Sequence, residues 1–133
     1  MVAVMAPTFN AIGLTVADMA ATLAFYRKLG LDIPAEADTA PHAEVTLDGG
    51  IRLMFDTHDT IASFDPEWKP ASGGPQVGLA FACADPAEVD AVYAEMTKAG
   101  YHGHHEPWDA FWGQRYAQLA DPDGVPVDLF AAL

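Results

Sequence analysis

Ala11-Ile12-Gly13-Leu14-Thr15-Val16-Ala17-Asp18 returns as Gly78-Leu79-Ala80-Phe81-Ala82-Cys83-Ala84-Asp85, 67 residues further along the chain. Each copy alternates like a strand and runs into an Asp able to cap a helix, so the chain reads as two equivalent modules. Strand alternation also assigns faces. Ile12, Leu14 and Val16 turn toward the helices, leaving Ala11, Gly13 and Thr15 on the other side. In the second copy Leu79, Phe81 and Cys83 face the helix, and Gly78, Ala80 and Ala82 face the cavity that the repeat implies.

Outward from the first copy, the strand spans 9–16, Asp18 caps a helix carrying Met19, Leu23 and Tyr26, and Gly30 supplies a left-handed stop. A short piece at 31–34 and an acidic loop at 36–41 follow. Residues 42–47 and 51–56 then form a hairpin around Asp48-Gly49-Gly50. In the second module a strand at 77–83 leads to Asp85-Pro86-Ala87-Glu88, with a capping Asp, Pro at the first helical position and Glu three residues beyond the cap. Val89, Val92, Tyr93 and Met96 form the buried stripe, and Gly100 ends the helix. An extended segment at 101–105 precedes a second hairpin, 114–119 and 125–130, turned by Asp121-Pro122-Asp123-Gly124. The order is βαβββ, twice: a single α+β domain over 1–133, with modules at 8–56 and 77–131 and mixed sheets.

The connector 57–76 reads as a Gly- and Pro-rich loop that carries two large aromatics, Phe64 and Trp68. Loops this long in a compact domain are often functional. The two rings either contact a ligand or plug the gap between modules.

Six basic residues against nineteen acidic ones give a net charge of −13, a surface that repels phosphate backbones and argues against a nucleic-acid partner. Such a field attracts cations, although acidity can also serve solubility alone. No apolar run reaches the roughly 18 residues of a membrane span. Residues 1–7 are apolar but short and lack a basic residue, so they do not read as a secretory signal. Cys83 is the only cysteine and can form no internal disulfide. A cytoplasmic location is the expectation.

The segments Ile12-Gly13-Leu14-Thr15-Val16, Phe25-Tyr26 before Leu29-Gly30-Leu31, and Trp112-Gly113-Gln114-Arg115-Tyr116-Ala117 are distinctive together. With the closing run Asp121-Pro122-Asp123-Gly124-Val125-Pro126-Val127-Asp128-Leu129-Phe130, the chain resembles the vicinal-oxygen-chelate superfamily. That group includes glyoxalase I, extradiol dioxygenases, fosfomycin-resistance enzymes and bleomycin-binding resistance proteins. The resemblance implies paired βαβββ modules forming a half-open mixed-sheet barrel, in a homodimer with pockets near the subunit interface. Fold alone does not settle function.

Metal-dependent members of the superfamily carry a His, Gln or carboxylate at four positions that here hold Ala11, Met54, Gly78 and Asp128. Alanine and glycine offer no donor, a thioether is a soft ligand, and one carboxylate falls short of the three protein ligands of a catalytic ion. The expectation is therefore no metal and no other cofactor. His102, His104, His105 and Glu106 form a dense cluster that spacing alone leaves open as a zinc site or as solvated side chains. Asp56 and His58 lack a third partner and read as pocket rim. No nucleophile–base pair stands out: Ser63 and Ser72 lie in the loop, Cys83 reads as a small buried hydrophobe, and no catalytic residue is assigned.

Small residues at Ala11, Gly13, Gly78 and Ala80 leave room for a guest or for close approach of the central strands. Trp108, Phe111 and Trp112 crowd together before Arg115 and Tyr116. Trp112 aligns with the drug-holding tryptophan of a similar segment in bleomycin-binding proteins. These rings either stack a flat ligand or form core or dimer contacts. The candidate ligand-binding set is Trp112, Trp108, Phe111, Tyr116, Met54, Asp128, Gly13, Gly78, Ala80, Phe64, Trp68 and Arg115.

The sequence thus points to a metal-free protein that sequesters an antibiotic, an aromatic natural product able to carry positive charge. Asp128, Asp109 or Asp56 would accept that ligand's donors. The rivals are a metal-dependent lyase or dioxygenase, a metal-free isomerase or cyclase with Asp128 or a His as base, and a binder of a housekeeping metabolite.

Overall fold

The structure is a computed structural model that describes residues 6–133; the segment 1–5, part of the short apolar run that does not read as a secretory signal, lies outside the described residues. Two compact units emerge: Met1–Ala20 with Asp32–Pro70, and Ala21–Leu31 with Ala71–Leu133.

In the first unit, β1 (Ala11–Val16), β2 (His42–Thr46) and β3 (Arg52–Thr57) form a sheet in the order β1-β3-β2. β1 runs parallel to β3, with Gly13 beside Met54, and β2 is antiparallel to β3, with His42 beside Asp56. Leu14, Val16, Leu53 and Phe55 are buried, so alternation separates one packed face from one open face. Residues 31–34 join no strand, and a short 3-10 helix, Ala35–Thr39, follows them. Its i→i+3 hydrogen bonds run from Ala37 N to Pro34 O (3.1 Å) and from Ala40 N to Ala37 O (3.0 Å).

The connector is not loop throughout. It opens with α2 (His58–Phe64), started by Thr57, whose Oγ1 accepts from Thr60 N at 3.2 Å. The Gly and Pro residues that suggested a loop all lie beyond this helix, from Pro66 onward. Helix α2 packs on β3 and β1.

In the second unit, β4 (Leu79–Ala82), β5 (His102–Ala110), β6 (Gln114–Ala120) and β7 (Pro126–Ala132) take the order β4-β7-β6-β5. β4 runs parallel to β7, and the other two pairings are antiparallel. This repeats the pattern of the first unit, extended by β5. The expected class, α+β with paired modules and mixed sheets, is therefore present, with the 3-10 helix standing where β5 stands in the other copy. β5 extends beyond the expected 101–105 because it lies at the sheet edge, where Pro107 needs no ladder partner for its missing N–H.

Helix α3 (Pro86–Lys98) starts as the sequence indicates. Asp85 accepts from Glu88 N at 2.8 Å, and Glu88 Oε1 accepts in return from Ala84 N at 3.1 Å. It covers β5, β6 and β7, burying Val89 and Met96 on the same side as Leu119, Val127 and Leu129. Each such side chain contributes about 1.5–3 kcal/mol by leaving water. From Ala21 onward, α1 (Met19–Lys28) belongs to this second unit. Phe25 meets Tyr101 edge-on at 5.0 Å between centroids, and Tyr26 lies over Phe81 at 6.5 Å. Gly30, at φ 104°, closes α1 with the left-handed residue expected there. Among the described residues no helix is long and apolar enough to cross a membrane.

Candidate functional site

The open face of the second sheet is set by register. β4 presents Ala80 and Ala82, β7 Asp128 and Phe130, and β6 Tyr116 and Gln118, with Ala80 beside Asp128, Gln118 beside Asp128, and Tyr116 beside Phe130. Trp108 of β5 stands beside Tyr116. The opposite face is the one α3 covers.

On this open face the aromatic side chains pack on one another. Trp108, Trp112 and Tyr116 meet edge to face with centroids 5.9, 5.5 and 5.3 Å apart. Phe130 stacks on Tyr116 at 6.4 Å, and His105 lies 3.9 Å from Trp108. Trp112 Nε1 donates to Gln114 Oε1 at 2.8 Å, which fixes the indole while leaving Trp112 48% exposed; Phe111 beside it is 97% exposed. Edge-to-face pairs contribute about 0.5–1.5 kcal/mol each, so the cluster is a preorganised apolar surface.

One carboxylate sits in this aromatic field. Tyr116 Oη donates to Asp128 Oδ2 at 2.5 Å, and Gln118 Nε2 donates to Oδ1 at 3.0 Å. Burial, then the bond to Asp128 and its charge, push the Tyr116 phenol up to about 12, so it remains a donor across the physiological range.

Arg115 neighbours Tyr116 in sequence and therefore points the other way. Its Nε donates to Asp90 of α3 at 2.9 Å and its Nη1 to Asp109 at 3.1 Å, and it does not join the ring cluster. Gly78 lies by Pro126: a Cβ built there would sit 3.6 Å from Pro126 Cβ, an ordinary contact.

The first unit places Met54 over Gly13, its Cε 3.7 Å from where a Cβ would stand. The thioether thus occupies part of the space that the small residue at 13 leaves. Phe64 ends α2 at 71% exposure, and Trp68 lies 4.9 Å from His58 between ring centroids.

Sequence reasoning missed a charged cluster on the open face of this sheet. His42 Nδ1 lies 2.7 Å from Asp56 Oδ1 and its Nε2 3.0 Å from Glu44 Oε2. Arg52 Nη1 donates to the same Glu44 oxygen at 2.7 Å, and its Nε and Nη2 donate to Asn10. The bond to Glu44, then that to Asp56, raises the His42 pKa. The signal was present as polar residues at alternate positions, His42 and Glu44 facing Arg52 and Asp56 across a hairpin.

The positions where the superfamily's metal ligands fall do not fit a divalent ion. Ala11 and Gly78 have no donor, the Met54 thioether is a soft ligand, and Asp128 alone falls short of the three protein ligands such an ion needs. Among the described residues no three His, Cys, Asp or Glu side chains group as a metal site. In the histidine cluster, the His102 and His104 rings are 6.1 Å apart, while His105 Nδ1 donates to Glu106 O at 2.7 Å.

With this geometry in view, residues 8–129 match the model of the Glyoxalase/Bleomycin resistance protein/Dioxygenase superfamily. The chain belongs to that superfamily, the vicinal-oxygen-chelate group. Solved structures agree. A glyoxalase/bleomycin resistance protein/dioxygenase from Nocardioides superposes with a TM-score of 0.75 at 25% identity, over 99% of this chain and 87% of that one. A family enzyme of the same description from Burkholderia phytofirmans PsJN reaches 0.81 at 17% identity, over 96% and 100%. A hypothetical protein from S. aureus reaches 0.77 at 18% identity, over 96% and 95%. Comparison with curated proteins gives no match.

Proposed function

We propose that this chain is a binding member of its superfamily. It holds a flat aromatic compound against Trp112, Trp108, Tyr116 and Phe111, and it acts by sequestering an antibiotic stoichiometrically in the cytoplasm. The observation that carries the reading is the ring cluster: Trp112, 48% exposed, and Phe111, 97% exposed, stand in the turn after β5 and continue the rings of Trp108 and Tyr116. Exposed large aromatics side by side mark a contact surface more often than an accident of packing. Asp128, Ala80 and Gly78 belong with these rings in the second unit; Met54, Gly13, Phe64 and Trp68 are separate candidates within the first. A homodimer, as the superfamily resemblance implies, belongs to the same proposal.

Sequestration requires affinity well below the free drug concentration, about −8 kcal/mol or stronger. Trp112→Ala is expected to weaken binding of an aromatic antibiotic by more than about 1 kcal/mol by calorimetry, with the protein still folded. Unchanged affinity removes Trp112 as an anchor and the reading with it.

An enzymatic reading draws on His42, an acid–base group held between Asp56 and Glu44. Mass spectrometry of compounds recovered after incubation separates the two: an unaltered ligand supports sequestration, and a chemically changed one supports a metal-free isomerase or cyclase.

A further inference from the structure

Three carboxylates stand out as acceptors for a ligand's donors, and the structure separates them. Asp109 is paired with Arg115 at 3.1 Å, and Asp56 with His42 at 2.7 Å. Asp128 is held only by neutral donors, a phenol and an amide, and among the described residues no Lys, Arg or His pairs with it. Its register neighbour on β4 is Ala80, exposed and without a polar side-chain atom.

We infer that Asp128 makes this aromatic face selective for ligands carrying a protonated amine or comparable cationic N–H group. The inference rests on the binding role proposed for the face. A planar guest stacked beside Tyr116 reaches the carboxylate that the phenol holds. A neutral guest there strips water from an uncompensated charge, which is costly, whereas a cationic N–H restores both the charge balance and the lost hydrogen bonds. The ring faces of Trp112 and Tyr116 favour the same sign of charge. So does the long-range field of a chain at −13. Tyr116 and Gln118 serve as positioning residues, fixing the two oxygens so that their remaining lone pairs are available. Selection thus comes from one unpaired charge set among rings.

The test compares two dyes of similar shape, proflavine (cationic, with amino donors) and acridine (neutral in mildly alkaline buffer), by calorimetry and tryptophan quenching. The wild type is expected to prefer proflavine by roughly tenfold or more. Asp128→Asn should bring the two within about twofold, with proflavine losing more affinity than acridine. Added salt should shrink the wild-type preference, a readout that remains if the Asn variant folds poorly. Equal binding of both dyes by the wild type, a preference that survives Asp128→Asn, or a preference indifferent to salt overturns the cation selectivity while leaving an aromatic-binding face intact. If neither dye binds, the selectivity and the binding role fail together.

Discussion

The hydroxyl of Tyr26 donates to Oδ2 of Asp121 at 2.8 Å, linking α1 to the turn between β6 and β7 across 95 residues of sequence. The other carboxylate oxygen accepts from the backbone N–H of Asp123 and Val125, at 2.8 and 3.0 Å. A single buried side chain therefore closes the turn and anchors the helix.

Tyr26→Phe leaves Asp121 Oδ2 without that donor in a site only 5% exposed, and is expected to destabilise the fold by about 1–3 kcal/mol. Burial is the first cause raising the Asp121 pKa, opposed by its hydrogen bonds, the one from Tyr26 foremost. A raised carboxyl contributes stability below its unfolded pKa and loses that contribution as pH climbs through its folded value. In the Phe variant the folded value rises further. The difference in urea midpoint between variant and wild type should accordingly be largest near neutrality and diminish on acidification. A difference that grows toward acid pH contradicts this account.

His42 shows the same sign from a different cause. Its pKa is raised by the bonds to Glu44 and Asp56, so the favourable contribution is complete below the unfolded histidine value and fades as pH rises through the folded one. With the His42 side chain 42% exposed, solvent screening limits the effect to about 0.2–1 kcal/mol. Thermal melts of His42→Gln against wild type should converge in alkaline buffer and separate on mild acidification.

Three glycines respond differently to a methyl group. At Gly103 a Cβ would collide with the Tyr93 hydroxyl and approach Tyr93 Cζ and Thr97 Cγ2 at 2.8 and 2.9 Å, because α3 lies tight against β5 there. Gly103→Ala should destabilise by about 1–3 kcal/mol in chemical denaturation. Gly13 and Gly78 meet only ordinary contacts at 3.7 and 3.6 Å, so alanine there should be neutral or stabilising by up to about 1 kcal/mol. A loss of ligand affinity in those stable variants would assign the small residues to the guest rather than to strand packing.

The cap of α3 offers a calibrated case. Asp85→Ala removes the acceptor of Glu88 N and is expected to lower stability by about 0.5–2 kcal/mol, read from the urea midpoint.

Local chemistry made much of this legible. Asp85-Pro86-Ala87-Glu88 announces α3 because every group in the cap lies within five residues, 84–88, and Asp121-Pro122-Asp123-Gly124 announces its turn for the same reason. Helix α2 was obscured because the Gly and Pro of the connector cluster after Phe64, and composition over the whole stretch averages the two parts. Long-range geometry was harder. That Arg115 leaves the ring cluster follows from its odd position beside Tyr116, but its partner Asp90 lies on a helix 25 residues earlier. For the His42 cluster the alternating polar residues are visible in the sequence, but the exact register that sets His42 beside Asp56 is not. Nor does it display the passage of α1 into the second unit, which rests on contacts as distant as Tyr26 with Asp121.

His42, Glu44, Met54 and Asp56 occupy the same lattice points in their hairpin as Tyr116, Gln118, Asp128 and Phe130 in theirs, each pair 74 residues apart. One scaffold, duplicated, has been dressed as an ionic surface in one half and an aromatic one in the other. Such a division of labour makes recognition chemistry transplantable: ring and acid can be written into the ionic copy by exchanging four side chains, with the ladder beneath them unchanged.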